Sequence, residues 1–338
     1  MNQKFRLPKP YRPILTPYES QKAIKLIRDT FQASFSQALN LTRVSAPLFV
    51  LRSSGLNDDL SGSENPVSFE TPEIPHETIE IIHSLAKWKR DALHRYGYLA
   101  GSGIYTDMNA IRKEEFLDNT HSLYVDQWDW ELAITPNDRQ LGFLRSVVEK
   151  IYHVIQKLEL QLHQKYPRLH PPLLPEDIFF VDSQSLETSY PDLTPEAREE
   201  EAARKYGAVC VMKIGGQLES GKRHGHRAPD YDDWELNADL IFYHPVLEEA
   251  LEISSLGIRV DAASLKKQLE AADAQNRSCL PYHQNILNDT LPLSIGGGIG
   301  QSRLCMFLLQ TAHIGEVQAS VWDEETRCQC KKNKIPLL

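Results

Sequence analysis

Polar and aromatic side chains alternate along Tyr124-Val125-Asp126-Gln127-Trp128-Asp129-Trp130-Glu131. In a strand, Gln127, Asp129 and Glu131 share one face, with aromatic and apolar residues on the other. The half-exposed edge of a sheet explains one such segment by itself. Two further carboxylates make the pattern harder to dismiss. Asp239, in Asn237-Ala238-Asp239-Leu240-Ile241, and Glu252, at the start of the apolar stretch 251–260, each interrupt an apolar strand pattern. A carboxylate embedded there needs a partner, commonly a cation. Amphipathic helices are predicted beside these strands. One opens at Thr16-Pro17 and carries Ile24, Ile27, Phe31, Phe35 and Leu39 at helical spacing. Others carry Leu141, Leu144, Val148, Ile151, Ile155 and Leu158, or start near His83 and at Thr194-Pro195. Residues 294–300 read as a glycine-rich turn feeding an apolar helix at 301–309. The strands lack a regular βαβ rhythm. The expected class is therefore α/β in the α+β sense, a mixed and mainly antiparallel sheet flanked by helices.

The 338 residues are expected to form one catalytic unit, with 1–17 as an N-terminal extension and 323–338 as a peripheral tail. Lysine and arginine number 37 against 46 aspartates and glutamates, a net charge of −9. An acidic total offers nothing to a nucleic-acid partner, whose binding depends on neutralised phosphates. No apolar run approaches the roughly 20 residues that span a bilayer, and residues 1–12 lack the apolar stretch of a signal peptide. Five cysteines, an odd number in a long chain, read as a reducing compartment and make the cytoplasm the default.

Several motifs fail on inspection. Gly216-Gln217-Leu218-Glu219-Ser220-Gly221-Lys222-Arg223 nearly spells a P-loop, but Arg223 stands where a serine or threonine must hold magnesium. This stretch is expected to be a mobile polar loop. His224 and His226 have no third metal ligand near them in sequence and read as a solvated loop. Cys328 and Cys330 lack a second paired cysteine. In Gly296-Gly297-Gly298-Ile299-Gly300, Gln301 occupies the third glycine position of the dinucleotide fingerprint. Anion binding at the following helix stays open.

Arg112 and Glu114, in Ile111-Arg112-Lys113-Glu114, resemble the Arg-x-Glu of motif 2 in class II aminoacyl-tRNA synthetases, above all the aspartyl and asparaginyl ones. The glycines leading to Arg303 resemble motif 3, and Val44-Ser45-Ala46-Pro47-Leu48 resembles the motif 1 of their dimer interface. A closer resemblance is to the small ammonia-dependent asparagine synthetases. It is carried by 83–90, 124–131, Arg227-Ala228-Pro229-Asp230-Tyr231-Asp232-Asp233-Trp234 and 295–303, and it runs from about residue 18 to 322. Departures fall in the loops 69–78 and 221–226 and in the tail.

The resemblance implies a class II synthetase-like fold, a homodimer, and ATP, Mg²⁺, aspartate and ammonia as ligands. It assigns Arg112, Glu114, Arg227 and Arg303 to ATP, with Arg112 and Arg303 catalytic. It assigns Asp239 and Glu252 to Mg²⁺, and Ser84, Lys89, Gln127, Asp129, Asp232, Ser255 and Arg259 to aspartate. Asp58, in Asn57-Asp58-Asp59-Leu60-Ser61-Gly62, matches an acidic position beside the substrate and would deprotonate ammonium, with Asp232 second for that role. A turn-capping aspartate is the plainer reading of Asp58. Ser254 and Ser255 stand where the related synthetases tend to carry glycines. The rival readings are a tRNA synthetase, for which too few residues precede Tyr18 to form an anticodon-binding barrel, and a regulatory protein that has kept the fold without the chemistry. The absence of cysteine after Met1 argues against release of ammonia from glutamine.

Overall fold

The computed structural model describes residues 5–7, 11–58, 60 and 64–338. Asp59, Ser61 and Gly62 of the Asp58 segment, and 1–4 and 8–10 of the N-terminal extension, lie outside the described residues.

Helix α1 (Pro17–Leu39) opens with a capping box: Glu19 N–H donates to the Thr16 hydroxyl, and Thr16 N–H donates to Glu19 at 2.9 Å. It stops at Asn40, whose φ of 53° turns the chain into β1 (Leu41–Arg43). After β1 the chain forms β2 (Phe49–Leu51). Strands β3 (Ser68–Thr71) and β4 (Ile74–Ile81) complete a small sheet ordered β2-β4-β3. Helix α2 (Ala86–Arg95) leads to β5 (Gly103–Ile111), which pairs along its whole length with β6 (Tyr124–Ala133). The long helix α3 (Leu141–Lys165) follows, then β7 (Phe179–Asp182), α4 (Ser183–Ser189), α5 (Pro195–Tyr206) and β8 (Ala208–Met212). Strands β9 (Asp232–His244) and β10 (Glu249–Arg259) form a long hairpin. Helices α6 (Ala262–Ala271) and α7 (Pro281–Leu287) return the chain to β11 (Ser294–Gly300), α8 (Gln301–Leu309) and α9 (Glu324–Lys332).

Among the described residues the large sheet has the order β1-β5-β6-β11-β10-β9-β8-β7. Its outer pairs β1–β5 and β7–β8 are parallel and the rest antiparallel. The mixed, mainly antiparallel class is as expected, but residues 294–300 are a central strand rather than a turn. Nor is 124–131 an edge: β6 lies between β5 and β11. Trp128 and Trp130 are fully buried against α1, with ring centroids 4.4 Å from Phe31 and 6.0 Å from Phe35 respectively. One sheet face is thus sealed by α1, α3 and α8. Gln127, Asp129 and Glu131 point the other way.

The tail at 323–338, expected to be peripheral, packs back on the fold. Cys330 and Ile335 are buried, and Leu338 N–H donates to the Gly315 carbonyl at 2.9 Å. No helix among the described residues is long and apolar enough to cross a membrane.

Candidate active site

Strand β11 forms the floor of the site because its positions 296, 298 and 300 are all glycine. Gly296, Gly298 and Gly300 lie opposite Glu131, Asp129 and Gln127 on β6. A Cβ on Gly296 would collide with the Glu131 carboxylate, and one on Gly298 with the Gln127 amide. Across β10, a Cβ on Gly257 would come within 2.6 Å of Asp232 Oδ1. These glycines leave room over the middle of the sheet for a cleft of about 420 Å³.

Charges crowd one end of it. Arg259 holds Glu131 with a fork, Nη2 to Oε2 at 2.7 Å and Nε to Oε1 at 3.0 Å, and its Nη1 bonds Asp232. Burial alone would lower the Arg259 pKa, but the charges of Glu131 and Asp232 outweigh it and keep the guanidinium ionised. Burial raises the Asp232 carboxyl, against the pull of Arg259. From α2, Lys89 bonds Asp129 and donates to the Gly297 carbonyl at 2.8 Å. Its burial lowers the ammonium pKa, and Asp129 opposes that shift. Ser84, Gln127 and Ser255 line the same cleft. Ser254 does not: its hydroxyl donates to the Gly298 carbonyl at 2.9 Å.

Arginines gather toward the other end. Arg112 and Arg303 line the cleft, and Arg303 Nη1 donates to the Glu252 carbonyl at 3.1 Å. Glu114 turns away and accepts from Asn65 N–H at 3.1 Å, whereas Glu115 lines the cleft with Arg112. Arg227, four residues past the near-P-loop segment that ends at Arg223, lines the cleft and bonds Asp239. That segment is pinned rather than free. Ser220 Oγ donates to Glu187 at 2.7 Å, and Arg223 lies over the Trp234 ring at 5.0 Å. His224 is buried 2.9 Å from Glu199, not solvated, and His226 lines the cleft.

Burial, then the neighbouring Glu252 charge, push the Asp239 carboxyl up to about 7 in spite of Arg227. Two hard oxygen donors whose charges repel suit Mg²⁺, which takes one or two carboxylates plus substrate phosphates. Among the described residues no third His, Cys, Asp or Glu joins them.

Asp58 lines the cleft while its Oδ1 accepts from Leu60 N–H at 3.0 Å, so the turn and the site share one carboxylate. His83 N–H and the His83 ring, at 2.9 and 3.1 Å, clasp the Asn57–Asp58 segment. Behind the cleft lies a network that the sequence did not announce. Lys87, Arg277 and His283 lie 3.0–3.1 Å from the fully buried Asp230. These charges hold the Asp230 carboxyl far below its ordinary range against the cost of burial. The run Lys87, Lys89, Arg90 is interior because each cation has a partner: Asp230 for Lys87, Asp129 for Lys89, and the Pro292 and Val260 carbonyls, at 2.9 and 2.6 Å, for Arg90.

Four cleft residues keep a buried polar atom with no hydrogen-bond partner: Arg112 Nε, Arg227 Nε, Asp129 Oδ2 and Gln318 Oε1. Such atoms are costly in a finished interior, and two donors and two acceptors on residues of one cleft suit a polar ligand.

The aspartate–ammonia ligase family model matches residues 18–334. The aspartate–ammonia ligase of Clostridium perfringens (strain 13 / Type A) is 55% identical over 336 residues, covering 99% of this chain and 100% of its own. That of Limosilactobacillus reuteri is also 55% identical, over 335 residues and 98% and 99% of the two chains. Among solved structures, Entamoeba histolytica asparaginyl-tRNA synthetase with asparaginyl-adenylate superposes with a TM-score of 0.64 at 14% identity, over 89% of this chain and 66% of that one. The Pyrococcus horikoshii enzyme with asparaginyl-adenylate gives 0.65 at 13%, over 89% and 68%. The chain spans about two thirds of these structures, and the likeness establishes a class II synthetase-like fold. By sequence over nearly its whole length, the chain belongs to the aspartate–ammonia ligase family.

Proposed function

We propose that this cleft makes asparagine by adenylylating the side-chain carboxylate of aspartate with ATP and then letting ammonia displace AMP. One observation carries the reading: unpartnered donors on Arg112 and Arg227 share a cleft with an unpartnered acceptor on Asp129. The first two suit phosphates, and the third suits an ammonium group.

A carboxylate is inert to ammonia because its oxygen is a poor leaving group. Making AMP the leaving group divides one hard step into two easier ones. Arg112 takes the α-phosphate, its planar fork matching two oxygens, and Arg303 braces the nucleotide. Arg227 contacts the phosphates. Asp239 and Glu252 would hold Mg²⁺, which supplies charge neutralisation on the departing pyrophosphate. Gln127 and Asp129 receive the amino group of aspartate, and Ser84, Lys89, Ser255 and Arg259 receive its carboxylates. Arg259 already serves Glu131 and Asp232, so a substrate carboxylate meets a shared charge there. Asp58 attracts ammonium and accepts its proton, with Asp232 second for that role.

The exposed Leu48, Phe49 and Phe69 beside Val44-Ser45-Ala46-Pro47-Leu48 support a homodimer, and five free cysteines suit the cytoplasm. The test is to supply aspartate, ATP and ammonium without tRNA, detect asparagine by mass spectrometry and separate the nucleotides. AMP and pyrophosphate are expected. ADP as the stoichiometric product would remove this reading.

A further inference from the structure

The register of β6 and β11 gives the cleft a direction. Glu131, opposite Gly296, marks the end held by Arg259; Gln127, opposite Gly300, lies four residues nearer the start of α8. At roughly 3.3 Å per residue these positions are about 13 Å apart. Beyond Gln127 the cleft is lined by Ser122, Val125 and Ile314, together with Arg303 and Gln318. Val125 and Ile314 offer apolar surface here beside the Arg303 guanidinium, which suits a heterocyclic base.

Gln318 is 4% exposed. Its Nε2 donates to Ser302 Oγ at 3.0 Å and to Asp126 Oδ1 at 3.3 Å. The carboxylate of Asp126 can only accept, so the amide is oriented by chemistry: the nitrogen faces Asp126 and the oxygen is left over. Asp126 is itself fixed, accepting from Ser302 N–H at 3.1 Å, Ser302 Oγ at 2.8 Å and Arg28 at 2.7 Å. The leftover Oε1 is buried without a partner in a side chain that lines the cleft. A buried acceptor in that state favours a ligand that brings an N–H donor and penalises one that brings another acceptor.

We propose that Gln318 reads the nucleobase: its Oε1 accepts a hydrogen bond from the exocyclic amine of adenine and thereby selects a 6-aminopurine over a 6-oxopurine. The assignment rests on the ATP-dependent reading above and adds the residue that makes the nucleotide adenine. Asp126 and Ser302 are positioning residues in this scheme, because they act only by fixing the Gln318 amide. A 6-oxopurine places carbonyl against carbonyl at the same point, whereas an unsubstituted purine leaves Oε1 unpaired.

The test compares ATP, ITP and purine riboside triphosphate on the wild type and on Gln318→Met, which keeps the length and removes the acceptor. Binding is measured by calorimetry and turnover as aspartate-dependent pyrophosphate release. In the wild type ATP should exceed both analogues by roughly tenfold or more, the order of one hydrogen bond whose loss leaves a buried group unpaired. In Gln318→Met the advantage over purine riboside triphosphate should collapse to within about twofold, with KM for aspartate unchanged. Loss of ATP and purine riboside triphosphate affinity by one common factor would overturn the proposal and leave Gln318 a packing residue. Because binding is read directly, a wild type that bound ATP but made no asparagine would count against the functional reading and not against base selection.

Discussion

The Arg259 guanidinium grips Glu131 through two parallel hydrogen bonds, of 2.7 and 3.0 Å, with both side chains buried in the middle of the sheet. Glu131 also accepts from Ser294 Oγ at 2.7 Å. Removing one member of such a pair strands the other charge, which typically costs about 3–5 kcal/mol. Glu131→Ala should therefore lower stability by that order in chemical denaturation. Arg259→Lys keeps the charge but cannot reproduce the fork. It should fold and yet lose roughly 10²-fold in kcat/KM for aspartate. Unchanged aspartate kinetics in Arg259→Lys would confine the pair to a structural role.

Arg112 and Arg303 are partly exposed and make few contacts within the chain. Arg112→Ala or Arg303→Ala should cut turnover by roughly 10²–10³ while leaving the melting temperature near that of the wild type. Near-normal turnover in Arg112→Ala would dismiss it as the α-phosphate clamp.

Asp58 serves both a turn and the cleft, and the two duties separate in Asp58→Asn. Asparagine still accepts from Leu60 N–H, so the turn should survive, but it cannot take a proton. Aspartate-dependent ATP–pyrophosphate exchange should persist while asparagine formation falls sharply. Partial recovery is expected at higher pH, where more ammonia is free, and with hydroxylamine, a nucleophile largely unprotonated at neutral pH. Equal loss of exchange and amide formation would shift the base to Asp232.

Much of this was legible in the sequence, and the exceptions have physical causes. The alternation in β6 and the lone carboxylates in β9 and β10 are local patterns that survive folding. Residues 294–300 misled because glycine scores as a turn former, whereas here it is a strand whose neighbours across the ladder need the space. Strand β5 was missed because Asp107 and Asn109 dilute its apolar signal, although pairing with β6 supplies what propensity lacks. The near-P-loop read as mobile since its anchors, Glu187 and Glu199, belong to helices distant in sequence. Glu114 and Glu115 are adjacent, and only the turn after β5 decides which of them faces the cleft. Gln318 carries no local signal, because its meaning lies in Asp126, 192 residues away.

Beneath the cleft, burial pushes the Glu316 carboxyl up to about 7, although it accepts from the Tyr11 hydroxyl at 2.9 Å and from the Ala312 and His313 amides. A folded-state value above the unfolded one means that the protonated carboxyl favours the fold. That contribution is complete below the ordinary glutamate range and is lost as pH rises through about 7, up to about 3 kcal/mol at full titration. Glu316→Gln cannot ionise, so its stability relative to wild type should climb between pH 5 and 8, as followed by urea denaturation. A difference that does not vary with pH would show that folding leaves the Glu316 pKa unshifted.

The bare strand β11 also decides where this enzyme can change. A floor made of main chain has little on it to substitute, and a side chain added at Gly296 or Gly298 would collide with Glu131 or Gln127. Under the proposed function, diversification toward another amino acid would therefore come from lining side chains, Ser84, Lys89, Ser255 and Arg259. A mutational library aimed at new acyl substrates should leave 296–300 untouched and randomise those positions.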